Sequence, residues 1–110
     1  MHSSQNEQDS RHYAQAAKVP MLEPSDSEEC KEFTRLAYEL SEQFDTPVIL
    51  RLSTRVSHSQ STVEWKEPKP QQLKEYVKNP QKYVMMPAMA KQRHVVVEQR
   101  MAKLRAYAAK

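Results

Sequence analysis

An α/β fold with a partly parallel sheet and a C-terminal helical extension is predicted, on three observations. A short apolar pair between prolines, Met21-Leu22, is followed by a stretch whose apolar residues recur every three or four positions, and then by a continuous apolar run, Val48-Ile-Leu50. Strand, helix, buried strand is the order of a crossover unit in an α/β sheet. After Pro87 no further proline interrupts the chain, which allows one long terminal helix.

Taken in order, Ser4 followed three residues later by Glu7 has the spacing of a capping box, and nothing breaks a helix between residues 6 and 18. The apolar side of that helix is thin, with Tyr13, Ala14, Ala16 and Ala17, so it should lie on something rather than form a core. Met21 and Leu22, between Pro20 and Pro24, fit a very short strand. Ser25, Asp26, Ser27, Glu28 and Glu29 then offer several caps and a negative first turn, both favourable at the positive end of a helix. Cys30, Phe33, Leu36, Ala37, Leu40 and Phe44 form one apolar stripe, with Glu32, Arg35, Glu39 and Glu42 on the wet side. Asp45-Thr-Pro47 ends this helix. Val48-Ile-Leu-Arg-Leu52 reads as a strand buried on most of its surface, because its apolar residues run together instead of alternating.

Residues 53–59 form the loop beyond that strand, and in α/β sheets ligands sit in the loops past the C-terminal strand ends. Residues 62–65 are expected to add a strand. A proline-punctuated linker follows over 66–70, then a helical turn over 73–77 closed by Asn79-Pro80. Pro87 suits the first turn of a last helix over 88–108, where Val97, Met101, Leu104 and Ala108 share a spacing suited to docking.

Composition narrows the function. The 110 residues, 38% of them hydrophobic, can bury one modest core and not two domains. There is no glycine, so a glycine-rich phosphate loop cannot be built from this chain. The single cysteine, Cys30, can form no internal disulfide and cannot hold a zinc or iron–sulfur centre by itself, which suits a cytoplasmic protein. No apolar run approaches the roughly 20 residues of a membrane span, and no secretion signal opens the chain. Residues 1–55 carry 6 basic and 10 acidic side chains, residues 56–110 carry 11 and 4. That basic second half suits a solvated face or an acidic partner better than nucleic acid, for which no common signature is present.

Candidate chemistry gathers in two places. His2, Ser3, Ser4, Gln5, Asn6, Glu7 and Gln8 lie at a predicted helix N-terminus, where unpaired N–H groups and the dipole favour an anion. Capping and loop hydrogen bonding is the competing use of the same residues. Arg51, Arg55 and His58 follow the buried strand, and their donors suit a carboxylate or phosphate clamp better than a metal. His12, Tyr13 and His94 read as surface or packing residues. No zinc spacing, serine elbow, Cys-x-x-Cys or calcium loop is present, so the chain is expected to contribute to a shared active site.

Three blocks carry a resemblance: His2-Ser-Ser-Gln-Asn-Glu-Gln-Asp-Ser-Arg-His-Tyr-Ala14, Met21-Leu-Glu-Pro-Ser-Asp-Ser27 and Phe44-Asp-Thr-Pro-Val-Ile-Leu-Arg-Leu-Ser-Thr-Arg-Val-Ser-His-Ser59. With Lys82-Tyr-Val-Met-Met-Pro87 and Arg93-His-Val-Val-Val-Glu98 behind them, nearly the whole chain resembles the alpha subunit of indolepyruvate ferredoxin oxidoreductases, within the thiamine diphosphate-dependent 2-oxoacid:ferredoxin oxidoreductase family. The resemblance implies an enzyme that decarboxylates an aryl 2-oxoacid, passes electrons through iron–sulfur clusters to ferredoxin and forms an acyl-coenzyme A. It makes residues 1–65 the rear half of a pyrimidine-binding domain and residues 66–110 a linker and basic C-terminal helix, with Met1 at a junction that in the family lies inside the domain. The chain is therefore expected to be partial and inactive alone, with a beta subunit and the remainder of the alpha subunit as partners.

By the same resemblance, Ser3, Ser4, Gln5 and Asn6 lie at the cofactor or substrate rim, with His2, Arg55 and His58 as catalytic or orienting groups. The activating glutamate, the loop for diphosphate and magnesium, and the cluster cysteines fall outside this sequence, so Glu7 takes none of those roles and this chain holds no metal. Two other readings compete: a protein-interaction module without catalysis, and a basic nucleic-acid binder. With so few strands and covering helices, the isolated chain is expected to be marginal or to self-associate.

Overall fold

In a computed structural model of the chain, the structure describes residues 9–68, 70 and 73–109. They fall into two compact units, one ending at Glu64 and the other beginning at Trp65.

The first unit holds α1 (Ser10–Ala17), β1 (Met21–Leu22), α2 (Ser27–Phe44), β2 (Ile49–Leu50) and α3 (Thr54–His58). Asp9 is the N-cap of α1, its carboxylate accepting from the Arg11 backbone N–H at 3.0 Å. The helix thus starts at Ser10, where the Asp9 carboxylate takes up a free N–H of its first turn. The capping box of Ser4 and Glu7 lies outside the described residues. Ala14 is the one buried residue of α1, so this helix does lie on the unit by a narrow contact.

Helix α2 starts as its sequence implies. Asp26 Oδ1 accepts from the Glu29 N–H at 2.8 Å, while Glu29 Oε2 reaches back to the N–H and hydroxyl of Ser25, each at 2.7 Å. This is a reciprocal cap shifted one residue outward from the usual box. Along the helix Arg35 bridges Glu32 at 3.0 Å and Glu39 at 2.8 Å on the wet side. Leu40 is buried, and Cys30, Phe33, Leu36, Ala37 and Phe44 are half-buried, which is the expected stripe.

Without glycine, both helices must leave through another residue in the left-handed region: Lys18 at φ 54, ψ 45 and Asp45 at φ 52, ψ 53. The following N–H groups close the same loop in each case, Val19 onto the Ala14 carbonyl at 3.2 Å and Thr46 onto the Ser41 carbonyl at 3.3 Å. These are Schellman exits, with the steric cost of a Cβ where glycine usually stands.

β1 and β2 pair in parallel, Met21 against Ile49 and Leu22 against Leu50, with α2 as the crossover. The Ile49 N–H donates to the Pro20 carbonyl at 3.0 Å and the Arg51 N–H to the Leu22 carbonyl at 2.9 Å. The partly parallel α/β sheet is present, but the strand expected over 48–52 shortens to two residues and is half-buried, with Leu52 exposed. A parallel strand becomes fully buried only when both faces are covered.

The strand expected over 62–65 does not form. Its backbone is held by side chains of α2 instead: Glu28 Oε2 accepts from the Glu64 N–H at 2.9 Å, and Lys31 Nζ donates to the Glu64 carbonyl. Residues 53–59 are also more regular than a loop, since Ser53 caps α3 by accepting from the Val56 N–H at 3.2 Å.

The second unit contains α4 (Pro80–Tyr83) and α5 (Pro87–Ala108). The helical turn expected over 73–77 is absent, and Asn79-Pro80 opens a helix rather than closing one. Asn79 Oδ1 accepts from the Lys82 N–H at 3.1 Å and Pro80 occupies the first turn, the place where its missing N–H costs nothing. α5 takes the expected span, with Pro87 in its first turn. Val97, Met101 and Leu104 are half-buried, whereas Ala108, Val95, Val96 and Tyr107 are exposed. No helix among the described residues is long and apolar enough to cross a membrane.

Candidate functional site

The parallel register sets the geometry at the C-terminal ends of the strands. With Leu22 paired to Leu50, the next residues, Glu23 and Arg51, emerge side by side. Arg51 Nη1 donates to Glu23 Oε1, and Arg11 of α1 reaches the same carboxylate through Nη2 at 3.1 and 3.3 Å and Nε at 3.3 Å. One carboxylate thus joins three elements. Arg11 also lies 3.6 Å from Asp9.

The titration behaviour follows from these contacts. The hydrogen bond and charge of Glu23, with Asp9 adding to them, raise the Arg11 pKa above its ordinary value. Asp9 is held below the ordinary carboxylate value, first by the hydrogen bond from the Arg11 backbone N–H and then by the charges of Arg11, His12 and Arg51.

This arrangement revises one expectation. Arg51 is engaged with an internal carboxylate, so it is not an open clamp for an external one. Arg55 and His58 lie in the last turn of α3, just past the end of β2, and both are exposed to solvent. His2, Ser3, Ser4, Gln5, Asn6 and Glu7 lie outside the described residues. Glu23 and Arg11 were missed from sequence, although sliding the two strands into parallel register would have put opposite charges at matching positions, Glu23 beside Arg51.

A separate concavity of about 390 Å³ is walled by α2 and the β2 side, including Ala37, Tyr38, Ser41, Pro47, Val48 and Leu50. Its size suits a small ligand. It contains none of the candidate site residues, and its polar groups are hydroxyls without an acid–base partner, so the chemistry is better sought at the strand ends. In the second unit, Tyr76 and Tyr83 stack on each other at 6.3 Å, with Lys82 Nζ 5.2 Å from the Tyr83 ring.

Thiamine diphosphate and magnesium, implied by the resemblance, find no cradle among the described residues. No group of His, Cys, Asp or Glu there is placed to hold a metal ion, and the glycine-free backbone has no phosphate loop. The guanidinium groups of Arg11 and Arg51 at the strand ends already share the Glu23 carboxylate.

Residues 2–108 match the family described as pyruvate flavodoxin/ferredoxin oxidoreductase, thiamine diphosphate-binding. The chain is 46% identical over 106 residues to the indolepyruvate oxidoreductase subunit IorA of Methanothermobacter marburgensis, covering 96% of this chain and 17% of that subunit. It is 41% identical over 109 residues to the subunit of the same name from Archaeoglobus fulgidus (97% and 18%) and 44% identical over 112 residues to that of Thermococcus kodakarensis (96% and 17%). The chain therefore spans about a sixth of the length of these relatives. No solved structure matches it. A parallel strand–helix–strand unit and a family match over almost every residue agree, and the chain belongs to the thiamine diphosphate-binding family of pyruvate flavodoxin/ferredoxin oxidoreductases.

Proposed function

We propose that this chain is part of an enzyme that oxidatively decarboxylates indolepyruvate or related aryl 2-oxoacids to acyl-coenzyme A, with ferredoxin as electron acceptor. The observation that carries the reading is the match of residues 2–108 to the thiamine diphosphate-binding family. The relatives named for indolepyruvate, at 41–46% identity, support the substrate class.

In this reading residues 1–65 belong to the pyrimidine-binding domain and 66–110 form a linker and basic helix. The loop for diphosphate and magnesium and the iron–sulfur clusters belong, in this reading, to other parts of the enzyme. The remainder of the alpha subunit, a beta subunit, ferredoxin and coenzyme A are the partners, and this chain alone is inactive.

The chain's own contribution is to one wall of the site. Ser3, Ser4, Gln5 and Asn6 offer hydroxyl and amide groups at the rim, where they orient a polar cofactor or substrate edge. His2 can exchange a proton near neutral pH. Arg55 and His58, on the helix just past β2, suit orientation of the 2-oxoacid carboxylate, Arg55 by a charge-assisted fork and His58 by a ring N–H.

The test is replacement of His2 or Arg55 by alanine in the complete enzyme. Either change is expected to lower kcat/KM for indolepyruvate by about tenfold or more, as loss of a positioned acid–base or orienting group does. Unchanged turnover and unchanged cofactor affinity in both variants would remove these residues from the site.

A further inference from the structure

Parallel pairing decides which backbone groups of β2 are already used. The N–H groups of Ile49 and Arg51 point to β1, donating to the Pro20 and Leu22 carbonyls. Successive residues of a strand alternate in direction, so the N–H and carbonyl of Leu50, between them, point to the opposite edge. There β2 meets no other strand among the described residues. Leu50 is half-buried, where leaving backbone groups unpaired is costly.

The same edge borders the concavity of about 390 Å³. Pro47, Val48 and Leu50 form one wall, and Thr34, Ala37, Tyr38 and Ser41 of α2 form the other, spaced so that they share one helix face. α2 packs chiefly on β2, and a helix about 10 Å wide covers two strands that lie about 4.8 Å apart. Its face over the concavity therefore overhangs the place beside β2 where a further strand would run. Thr34, Ala37 and Ser41 are small enough to admit the side chains of such a strand. Tyr38, 74% exposed, is left without cover.

We infer that the outer edge of β2 seats a further strand, apolar on the side facing α2, supplied by a segment of the same subunit outside residues 1–110. Three observations choose this occupant. Among the described residues the lining carries no charged side chain, which suits an apolar segment better than an ionic ligand. The seat lies between a sheet edge and the helix that covers it, and two strands of two residues each are too little for a parallel sheet to stand on. This chain covers only 17% and 18% of the subunits from Methanothermobacter marburgensis and Archaeoglobus fulgidus, so a subunit of that kind has ample chain to supply the strand. The donor rests on the reading of this chain as part of such a subunit, whereas the seat rests on the geometry alone.

The experiment uses the complete subunit and two readouts. The first is amide hydrogen exchange resolved to single residues: Leu50 is expected to exchange within about tenfold of Ile49, whose N–H is bonded to β1. In the second, the photo-cross-linker p-benzoylphenylalanine stands in place of Tyr38, and the peptide it captures on irradiation is identified by mass spectrometry. One predominant link is expected, to a segment outside residues 1–110, with no change of subunit mass on a denaturing gel.

Leu50 exchanging more than about tenfold faster than Ile49 overturns the proposal. So does a link that falls within residues 1–110, a link that joins two polypeptides, or no link at all. If the cross-linking variant does not fold, exchange in the unmodified subunit decides alone. Neither readout needs turnover: a subunit that gives both expected results yet oxidises no aryl 2-oxoacid would defeat the proposed function and uphold the strand seat.

Discussion

Glu23 and Arg51 meet because two short strands run parallel and in register, so a charge at the end of one finds the opposite charge at the end of the other. Single side chains elsewhere also have assignable work. Asp26 caps α2 through the Glu29 N–H, and Asp26→Ala should cost about 1 kcal/mol in urea denaturation, the usual effect of removing an N-cap. Asp9 predicts a pH dependence. Its folded pKa lies below the ordinary value, so the stabilisation it gives is fully present above the unfolded value and is lost as pH falls through the folded one. NMR titration should therefore show the first turn of α1 intact at neutral pH and loosening below about pH 4, and an unchanged first turn down to pH 2 would contradict this. The caps at residues 25–29 were legible because several capping residues cluster before an amphipathic run. Asp9 was not, because Ser4 and Glu7 offered an equally good pattern a few positions earlier and only the fold chooses between two starts.

At the scale of elements, periodicity served well where helices are long and poorly where backbone is held by side chains. The α2 stripe and the α5 span could be read from spacing and prolines. The absent strand at 62–65 could not, since Glu28 and Lys31 of α2 take up the Glu64 backbone, a contact between positions more than thirty residues apart. Asn79-Pro80 is ambiguous locally: the pair can close one helix or open the next, and here it opens α4. The glycine-free exits give a sharper prediction. Lys18 sits in the left-handed region, so Lys18→Gly should stabilise the unit by about 1 kcal/mol by removing the Cβ clash, and no gain in denaturation midpoint would argue against that exit geometry. Leu40, buried on α2, should lose about 2 kcal/mol on truncation to alanine, at the low end for such changes because its half-buried neighbours can relax into the space.

For the molecule as a whole, burial is shallow. Among the described residues Ala14 and Leu40 are the buried hydrophobics, while Tyr38, Trp65, Leu73, Tyr76 and Val77 are each more than two-thirds exposed. So much uncovered apolar surface predicts that the isolated chain is marginally stable or self-associates. Its thermal midpoint should rise with protein concentration, and a sharp, concentration-independent monomer transition would contradict this. The α/β class was readable because the strand–helix–strand order survives even with two-residue strands. The site was readable only as residue types, because its chemistry depends on which groups converge, and the internal capture of Arg51 by Glu23 is a tertiary fact. The central claim is that these residues serve a thiamine diphosphate-dependent 2-oxoacid oxidoreductase. It is tested most directly by measuring indolepyruvate-driven ferredoxin reduction by the complete enzyme, stripped of and then resupplied with thiamine diphosphate and magnesium. Reduction that vanishes on stripping and returns on resupply is the predicted result; reduction indifferent to the cofactor, or none from any aryl 2-oxoacid in its presence, would contradict it.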